Sequence, residues 1–405
     1  MAKKRERQRR HVFRNTIITL LILGCVYSFL VYTDMPFIAK WRTIYIETAM
    51  TTFTHKWLAT AFIPKQVIAE TMGYAAEVES KQESMSTNSY WHISKEDLET
   101  VFTLSGKKDD GKKFSKKNPD FAKVYPEIDI DTLDAYMSEH EDEAYVDGCL
   151  WIDAADTADE DTGIRTTAGD RVLAIDTKNG IVIIMRRTSD FVARMAIIKN
   201  PDRVSVAASP NYGRSGAKIA DICKSSDAVL GINASGFDDP DGKGNGAVSY
   251  GLLISDGTKR TQAAGGTYKM TGFDYSDTLL IGSYSDTSVF RDAVEFKPIL
   301  VLDGKRAVEG SAGWGVQPRS AIGQTANGEV LLLIVDGRSP GYSIGATMEE
   351  IAELMLEYNV YQAINLDGGS SSVMYYNGRI ITKPSAGDKA NGRLLPDAFV
   401  VKAAS

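Results

Sequence analysis

Residues 330–372 read VLLLIVDGRSPGYSIGATMEEIAELMLEYNVYQAINLDGGSSS, and this stretch decides the fold class. It contains two apolar runs of strand length, at 330–335 and 361–366. Between the runs, Thr347 and Glu350 have the spacing of a capping box, in which side chains satisfy backbone amides at a helix N-terminus. Strand, helix, strand is a βαβ unit, so we predict two parallel strands joined by a right-handed crossover.

The helix in this unit has one apolar face. Apolar side chains recur at helical spacing after Glu350, at Ile351, Leu354, Met355 and Tyr358. This spacing predicts a helix that packs against the sheet.

Turn signals divide the rest of the C-terminal half into short β-rich segments. Asn-Gly and Asp-Gly pairs between apolar residues favour hairpins, because both residues tolerate the positive φ of tight turns. The pairs are Asn179–Gly180, Asp303–Gly304, Asn327–Gly328 and Asn377–Gly378. We therefore predict an α+β domain over 151–405, with a mixed β-sheet, hairpins and one βαβ unit.

The N-terminus combines a basic cluster with an apolar run. Seven Lys/Arg and one acid lie between Lys3 and Arg14, and residues 16–32 carry no charge. At ~1.5 Å per residue such a run makes roughly 25 Å of helix, near the lower limit for crossing a bilayer. Basic residues accumulate on the cytoplasmic side, so we expect a cytoplasmic tail at 1–15 and a transmembrane signal anchor at 16–33. A cleaved signal peptide is the alternative, although no small-x-small cleavage site closely follows Tyr32.

Residues 34–150 are predicted to form a helical stalk and a polar linker. Aromatic, β-branched and alanine residues mix over 35–80, which indicates amphipathic helices near the membrane, broken at Pro64. Either a stalk or a dimerisation element fits this pattern, and the oligomeric state stays open. The lysine-rich run at 106–120 is typical of an exposed loop, and contact with an anionic wall polymer or lipid is the alternative.

Charge and histidine content exclude several classes of function. The net charge is −7 although the N-terminus is basic, which argues against a nucleic-acid-binding domain. The four histidines are His11, His55, His92 and His140, so none follows residue 140. A Ser-His-Asp triad, a Cys-His pair and a histidine-ligated metal are therefore excluded from the C-terminal domain.

The sequence leaves open whether two of the cysteines form a disulfide and whether one acidic loop binds calcium. Cys149 and Cys223 pair as a disulfide or stay as free thiols, while Cys25 lies in the apolar run. No spacing resembles a metal site, so we expect no cofactor. The loop with Asp238, Asp239 and Asp241 is an ordinary acidic loop or, alternatively, holds a structural calcium ion, although it lacks the EF-hand pattern.

Both strands of the βαβ unit end in polar residues. Asp336 and Arg338 follow the first strand, and Asn365 and Asp367 end the second. The C-terminal ends of parallel strands share one sheet edge, where α/β sheets bind ligands, so we expect these four side chains to converge. The next residues, Gly368 to Ser372, offer open backbone amides and three hydroxyls, which suit an anion or a sugar.

Two further candidates stand at strand boundaries. Asn233 ends the apolar run 228–232, and Arg319 enters the strand at Ala321. Taken singly, such an asparagine most often caps a turn, such an arginine forms a surface ion pair, and Asp336 before a glycine marks a turn. Asp367 is the strongest candidate, because an acid followed by Gly-Gly-Ser-Ser has little structural purpose.

Together these motifs resemble the phosphodiester glycosidase family. The order and spacing are similar over roughly residues 160–405, and the NLDGGSS block is the most specific. One departure is Ala234-Ser-Gly-Phe-Asp, where the family usually has a second glycine and an aromatic pair, so the pocket shape is expected to differ. The matching blocks are GINASGFDD (231–239), GLLISDG (251–257), QPRSAIGQ (317–324), LLIVDGR (332–338), SIGATMEEIAELM (343–355), AINLDGGSSSVMYYNG (363–378) and RLLPDAFVV (393–401).

The resemblance implies cleavage between a sugar anomeric carbon and a phosphodiester oxygen. The leaving phosphate monoester, whose second pKa is about 6, departs with little protonation. One carboxylate and a cationic clamp would then replace the usual pair of carboxyls. Asp367 is expected to act as nucleophile or base, and Asp336 as the second acid or as the residue that orients Arg338.

The resemblance also implies the binding residues. Arg319 and Arg338 would hold the phosphate, because a guanidinium matches its oxygens in a bidentate way. The remaining substrate-binding candidates are Asn233, Asn365, Gly368, Gly369, Ser370, Ser371 and Ser372.

The expected protein is a single-pass, membrane-anchored glycosidase with its domain outside the cytoplasm. Its substrate would be a glycan, an exopolysaccharide or a cell-wall polymer. A non-catalytic polysaccharide-binding module would keep the loop and the arginines without a reactive Asp367, and a membrane scaffold would depend on the N-terminal helices instead.

Overall fold

The computed structural model describes residues 2–52, 55–87, 119–140, 143–147, 149–156 and 161–404. Most of the lysine-rich run predicted as a loop lies outside these residues. The chain divides into two compact units, Met1–Ala76 with Gly313–Gly315, and Glu77–Ala312 with Val316–Ser405. The ten-stranded sheet begins at Tyr145, slightly before the expected domain start at residue 151.

The first unit is helical. It contains α1 (Ala2–Tyr32), α2 (Pro36–Met50), α3 (Lys56–Thr60) and the first part of α4 (Lys65–Gln82). Within α1, the 22 residues His11–Tyr32 are long and apolar enough to cross a membrane and are almost entirely unburied. Length and composition alone support a span here, and a signal sequence has the same properties.

The described residues of the second unit contain four further helices. They are α5 (Pro119–Val124), α6 (Ile130–His140), α7 (Ile219–Ser225) and α8 (Met348–Glu357). Helix α8 begins with the predicted capping box, in which Thr347 accepts from the Glu350 amide and Glu350 accepts from the Thr347 amide. Ile351, Leu354, Met355 and Tyr358 are buried, so the predicted apolar face is confirmed.

Twenty strands form three sheets among the described residues of the second unit. The largest has ten strands in the order β1-β2-β3-β4-β5-β16-β15-β17-β13-β14. Their bounds are Tyr145–Val146 (β1), Cys149–Asp153 (β2), Arg171–Asp176 (β3), Ile181–Arg187 (β4), Val192–Ile198 (β5), Ile299–Leu302 (β13), Lys305–Arg306 (β14), Arg319–Thr325 (β15), Val330–Val335 (β16) and Val360–Asn365 (β17).

The other two sheets have five strands each, in the orders β11-β10-β12-β8-β9 and β19-β18-β7-β20-β6. The first contains Leu253–Ser255 (β8), Thr258–Thr261 (β9), Lys269–Asp274 (β10), Leu279–Gly282 (β11) and Phe290–Phe296 (β12). The second contains Val204–Ala208 (β6), Ala228–Asn233 (β7), Met374–Tyr376 (β18), Arg379–Ile380 (β19) and Asp397–Lys402 (β20). The architecture is α+β, as predicted.

All four predicted turns join antiparallel neighbours. The hairpins are β3–β4, β13–β14, β15–β16 and β18–β19. Asp303 and Asn377 adopt positive φ together with the glycine that follows each of them. This is the conformation for which Asn-Gly and Asp-Gly pairs are favoured.

The two strands of the βαβ unit are parallel, but they do not pair with each other. Strand β15 lies between β16 and β17 and runs antiparallel to both. Strand β15 therefore occupies the position between the two parallel strands. As a result, the first residue of β15, Arg319, lies at the same sheet edge as the last residues of β16 and β17.

One apolar core joins the three sheets. It contains residues of every sheet, among them Ile334 from the first, Phe273 from the second and Phe399 from the third. The rings of Phe273 and Phe399 meet edge to face, with centroids 6.4 Å apart. No disulfide joins Cys149 and Cys223, so the disulfide alternative is wrong. Burial raises the pKa of the Cys223 thiol well above its ordinary value.

Candidate active site

Sheet register brings the predicted polar residues to one edge. Arg319 lies opposite Val335, the residue before Asp336, and Ala321 lies opposite Asn365. Because β16 and β17 end where β15 begins, both arginine-bearing segments meet the segment of Asp367. This three-strand arrangement brings Arg338 near Asp367, whereas the Asp336 side chain bonds to Arg194 instead.

Asp367 is the acid at the centre of this edge. Its backbone amide donates to the Ala234 carbonyl, 3.1 Å away, which connects the end of β17 to the segment after β7. Its side chain is partly exposed. Burial raises the pKa of Asp367 to about 6, against the opposing effects of a hydrogen bond from Ser371 and the positive charge of Arg393. The carboxylate is therefore ionised at neutral pH and retains substantial basicity.

The loop after Asp367 is tightly packed. Gly369–Ser371 form one 3-10 turn, and the Gly369 amide donates to the Pro318 carbonyl at 2.8 Å. A Cβ on Gly368 would lie 2.8 Å from the same carbonyl oxygen, so the close approach requires glycine. Ser371 is buried with its hydroxyl directed to Asp367. This packing holds the carboxylate in place.

Two neighbouring serines also use their hydroxyls within the protein. The Ser370 hydroxyl accepts from Arg393 at 2.9 Å, and the Ser372 hydroxyl lies 3.2 Å from that of Ser320. Ser372 is buried, whereas Ser370 is partly exposed. Of these two serines, Ser370 is the one with access to a ligand.

Asn233 is fully buried behind the loop. Its side-chain amide donates to the Asp367 carbonyl at 2.5 Å. Its oxygen accepts from the Ser320 hydroxyl at 3.0 Å and from the Val373 amide at 3.2 Å. These bonds engage the side chain within the protein, which suits a positioning role.

Arg338 is exposed and held in an uncommon conformation. Its φ is +56°, in the left-handed region that non-glycine residues seldom occupy. Nε and Nη2 both donate to the Gln317 side-chain oxygen, at 3.1 and 2.7 Å. Partial desolvation lowers the pKa of Arg338, and the nearby Asp367 carboxylate opposes that shift. Its bonded partner is neutral, and no ion pair of Arg338 occurs within the described residues.

Arg319 is less accessible than Arg338. Its side chain is buried, and its Nε donates to the Ala346 carbonyl at 2.9 Å. The two arginines therefore differ in accessibility: Arg338 is exposed, whereas Arg319 is buried in the wall of the site.

Asp336 belongs to a separate buried cluster. Its carboxylate pairs with Arg194 at 2.9 Å and accepts from the Tyr342 hydroxyl at 2.9 Å and the Lys383 amide at 2.9 Å. Burial raises the pKa of Asp336, while Arg194 acts against that shift. The carboxylate thus orients Arg194, where sequence reasoning offered Arg338 as its partner.

Asn365 connects the sheet edge to the segment before β13. Its side-chain amide donates to the Lys297 carbonyl at 2.8 Å. Its oxygen is buried and has no hydrogen-bond partner among the residues described. A buried acceptor of this kind is uncommon and leaves capacity for a donor.

Arg393 is a site residue that the sequence motifs did not single out. Its guanidinium pairs with Asp239 at 2.7 Å, donates to Ser370, and lies over the Phe237 ring at 4.5 Å from the centroid. The pair is largely buried. The only sequence signal was that Arg393 begins one of the blocks that carry the family resemblance.

Asp397, the first residue of β20, is a second unusual acid near Asp367. It is fully buried, and one of its oxygens accepts from the Ser235 amide at 2.8 Å. Burial raises the pKa of Asp397 to about 7, and the negative charge of Asp367 contributes to that shift. The site therefore contains two carboxyls with elevated pKa values.

Aromatic side chains lie beside these acids. Tyr250 is 52% exposed, and its ring centroid is 5.2 Å from that of Tyr268. Tyr268 in turn meets Phe296 edge to face, and the Lys297 ammonium lies 4.9 Å from its centroid. Burial raises the pKa of Tyr268 to about 12, with a contribution from the charge of Asp367. These contacts define an aromatic wall formed by Tyr250, Tyr268 and Phe296.

The loop considered for calcium carries an internal ion pair. Asp239 accepts from Arg393 and from the Gly244 amide at 2.6 Å. Across the described part of the chain, no group of three His, Cys, Asp or Glu side chains is placed to hold a metal ion.

Fold and site together define an α+β domain with a carboxylate–arginine centre at one sheet edge. Residues 226–402 match the model of the phosphodiester glycosidase family. Over these residues the chain is thus similar to the phosphodiester glycosidase family.

Relatives are similar over only part of their length. The chain is 32% identical over 183 residues to the SPbeta prophage-derived uncharacterized protein YomE of Bacillus subtilis (strain 168), covering 42% of this chain and 27% of the relative. It is 39% identical over 70 residues to bovine N-acetylglucosamine-1-phosphodiester alpha-N-acetylglucosaminidase, covering 17% of this chain and 13% of the relative. The chain therefore spans about a quarter or less of the curated relatives it matches.

Two solved structures are also similar. One is the zebrafish N-acetylglucosamine-1-phosphodiester alpha-N-acetylglucosaminidase catalytic domain auto-inhibited by its pro-peptide, at 20% identity and a TM-score of 0.47, covering 54% of this chain and 82% of that one. The other is a hypothetical protein from Synechocystis, at 17% identity and a TM-score of 0.42, covering 59% and 65%.

Proposed function

We propose that the domain hydrolyses the bond between a sugar anomeric carbon and a phosphodiester oxygen. The observation that carries the proposal is the partly exposed Asp367, with its pKa raised to about 6, beside the exposed Arg338. A carboxylate of this basicity is suited to nucleophilic or general-base chemistry near neutral pH. The unmatched positive charge next to it suits a phosphate.

In the proposed reaction, the bond from the anomeric carbon to the phosphate oxygen breaks and both electrons leave with the phosphate. Water supplies the hydroxyl that ends on the sugar and the proton that ends on the base or in solvent. Asp367 acts as base on that water, or attacks the anomeric carbon first and is released by water. The leaving phosphate monoester needs little protonation, because its second pKa is about 6.

The arginines have separate roles in this scheme. Arg338 binds the phosphate directly, since the residue is exposed and its guanidinium is bonded to the neutral Gln317. Arg319 contributes positive charge from the wall of the site, where it is buried. Arg393 is committed to Asp239 and Ser370, so its role is to hold the loop beside Asp367.

The sugar is proposed to lie against the aromatic wall. Exposed tyrosine presents an apolar face and a polar edge, and sugars have both kinds of surface. Tyr268 lies near Asp367 and Tyr250 packs against Tyr268, so these two rings are the best placed for that contact. Asn233 and the buried Ser372 position the loop rather than touch substrate.

The direct test is turnover of an α-linked sugar-1-phosphodiester by the full chain in detergent. Asp367→Asn is expected to abolish measurable turnover, because the carboxylate is lost while the shape is kept. Asp256→Asn is the matched control, since Asp256 is an exposed acid that also precedes a glycine. Unchanged turnover in Asp367→Asn would refute the proposal.

The alternative is a non-catalytic polysaccharide-binding module. It would retain Arg338 and the aromatic wall and would bind the same phosphodiester without releasing product. Saturable binding by the wild type, unchanged in Asp367→Asn and without phosphate monoester formation, would favour the module. The raised pKa of Asp367 supports the enzyme instead.

We further propose that α1 anchors the domain to the cell membrane as a single-pass helix, with the domain outside the cytoplasm. The basic residues before the span and the unburied apolar surface of His11–Tyr32 support this topology. The natural substrate would then be a glycan, an exopolysaccharide or a cell-wall polymer. Protease protection of the C-terminal domain in sealed, right-side-out vesicles would contradict that orientation.

A further inference from the structure

The helices after α1 are tied to the last turns of α1 by hydrogen bonds. The Tyr27 hydroxyl donates to the Phe62 carbonyl at 2.8 Å. Arg42 donates to the carbonyls of Leu30 and Thr33, at 3.3 and 2.8 Å, where α1 ends and its carbonyls lack helical partners. These bonds fix α2 and the end of α3 against the C-terminal part of α1.

The hydrogen bond from Tyr27 fixes the position of Phe62 along the axis of α1. Tyr27 lies five residues before the end of α1 at Tyr32, which is roughly 7 Å along the helix axis at ~1.5 Å per residue. Tyr27 is inside His11–Tyr32, the segment that is long and apolar enough to cross a membrane. If that segment crosses the bilayer, Phe62 lies below the level at which α1 emerges.

The surface of these helices is aromatic. Phe37 is 74% exposed, Trp41 48%, Trp57 56% and Phe62 57%. They form two contacting pairs, Phe37 with Trp41 and Trp57 with Phe62, each with ring centroids 6.5 Å apart. The segment also has its own core of Ile46, Ala49, Ala59 and Ile68, so the outer aromatics are not required to fill the inside.

The charges beside these aromatics are positive. Lys40 and Lys56 each precede one of the two tryptophans, and Lys65 begins α4; all three are exposed. Over 35–65 there are four Lys/Arg and one acid, the buried Glu47. Tryptophan and tyrosine are enriched where hydrocarbon meets headgroups, and lysine is attracted to anionic lipid.

We infer that α2, α3 and the turn through Phe62 form a collar that inserts into the lipid interface around the C-terminal end of α1. This inference rests on the proposed anchoring of α1. Its partner is the phospholipid of that leaflet, with the aromatic rings at the level of the acyl-chain ends nearest the headgroups and the lysines at the phosphates. A second copy of the chain is a poorer partner, because pairing would bring two cationic faces together.

The test uses the full chain reconstituted into phosphatidylcholine–phosphatidylglycerol vesicles. Tryptophan emission is measured with phosphatidylcholine brominated either near the headgroup or near the acyl-chain terminus. The wild type should be quenched more by the shallow bromines than by the deep ones. The double variant Trp41→Phe with Trp57→Phe should lose most of that quenching, whereas Trp151→Phe, on β2 in the second unit, should keep it.

Flotation of the same vesicles separates this inference from the anchoring. Protein that floats and resists carbonate extraction but is not quenched would show that α1 is anchored and that the collar lies outside the bilayer, which overturns the inference. Protein that does not float would overturn both. Absence of quenching together with a crosslinked dimer would assign the aromatic surface to a second copy.

Discussion

Arg338 combines backbone strain with a charge that forms no ion pair among the described residues. Its φ of +56° stores energy that a surface residue would ordinarily release, and strain of this kind concentrates at functional sites. Gly337 permits the turn, because a Cβ there would lie 2.9 Å from Pro318 and 3.0 Å from the Ile344 carbonyl. The strained backbone directs the guanidinium towards the Asp367 loop.

Replacing Arg338 tests its proposed contact with phosphate. Arg338→Gln should lower kcat/KM for a sugar-1-phosphodiester by about 10- to 100-fold, because a charge-assisted hydrogen bond contributes about 1.5–3 kcal/mol. Arg214→Gln, a change at an exposed arginine elsewhere in the domain, is the control and should have little effect. Equal effects of the two substitutions would argue against a specific phosphate contact.

The pKa of Asp367 predicts the acid side of the pH profile. The ionised carboxylate is the active form, and burial raises its pKa from 3.8 to about 6. As pH falls through about 6, protonation should therefore reduce kcat/KM of the wild type. Steady-state rates between pH 4 and 8 would check this, and a decline centred near 4 would contradict the raised pKa.

Replacing Tyr250 tests whether the sugar binds against the aromatic wall. Tyr250→Ala should raise KM roughly 2- to 10-fold with a smaller effect on kcat, since an aromatic contact contributes about 0.5–1.5 kcal/mol. Tyr275→Ala is the matched control, because Tyr275 is 66% exposed and lies in the turn between β10 and β11. An unchanged KM in Tyr250→Ala would remove the aromatic wall from the proposed sugar site.

At the scale of single elements, α8 carries the clearest local signal. Its capping box satisfies backbone amides that would otherwise lack partners, and its apolar face packs on the sheet. Thr347→Ala should lower the free energy of unfolding by about 1 kcal/mol. Thr258→Ala, at an exposed position of the edge strand β9, should change it much less, and denaturant titration of both variants would check the difference.

Strand β15 is the element that builds the site. Its pairing with β16 and β17 places Arg319 beside the ends of both strands. The hairpin turn at Asn327–Gly328 sets the antiparallel pairing with β16, whereas the pairing with β17 spans α8 and depends on the tertiary fold.

At the scale of the whole molecule, the buried Asp397 links stability to pH. Its pKa is 3.8 in the unfolded chain and about 7 in the folded protein. Between pH 3.8 and about 7, the Asp397 carboxyl is mostly ionised in the unfolded chain and mostly protonated in the folded protein. The stability that the proton contributes is thus present below pH 4 and is lost progressively up to about pH 7.

Asp397→Asn should remove this dependence. Asparagine keeps an acceptor for the Ser235 amide and carries no charge to bury. We expect the variant to match the wild type near pH 4 and to melt a few degrees higher at pH 8. Thermal melts at the two pH values would measure the effect, and an equal Tm difference at both would contradict the raised pKa.

The local pattern of the sequence determined the class of fold and the strongest candidate acid. Four hairpin turns, the cap of α8 and its buried face were all predictable, because turn residues and capping boxes act over a few neighbouring positions. The acid after β17 was singled out for a similar reason, as it directly follows an apolar strand and precedes Gly-Gly-Ser-Ser; its catalytic role stays a prediction. The absence of histidine after residue 140 limited the chemistry to carboxylates and arginines.

Only the tertiary structure decided which candidate site residues bond within the protein and which are left to contact a ligand. It inserts β15 between β16 and β17, pairs Asp336 with Arg194, buries Asn233 behind the loop, and brings Arg393 to Asp239. These partners are far apart in the chain, and no local spacing encodes such pairings. Sheet order and burial therefore determined which polar residues are left to meet a ligand, and the sequence by itself determined that such residues exist.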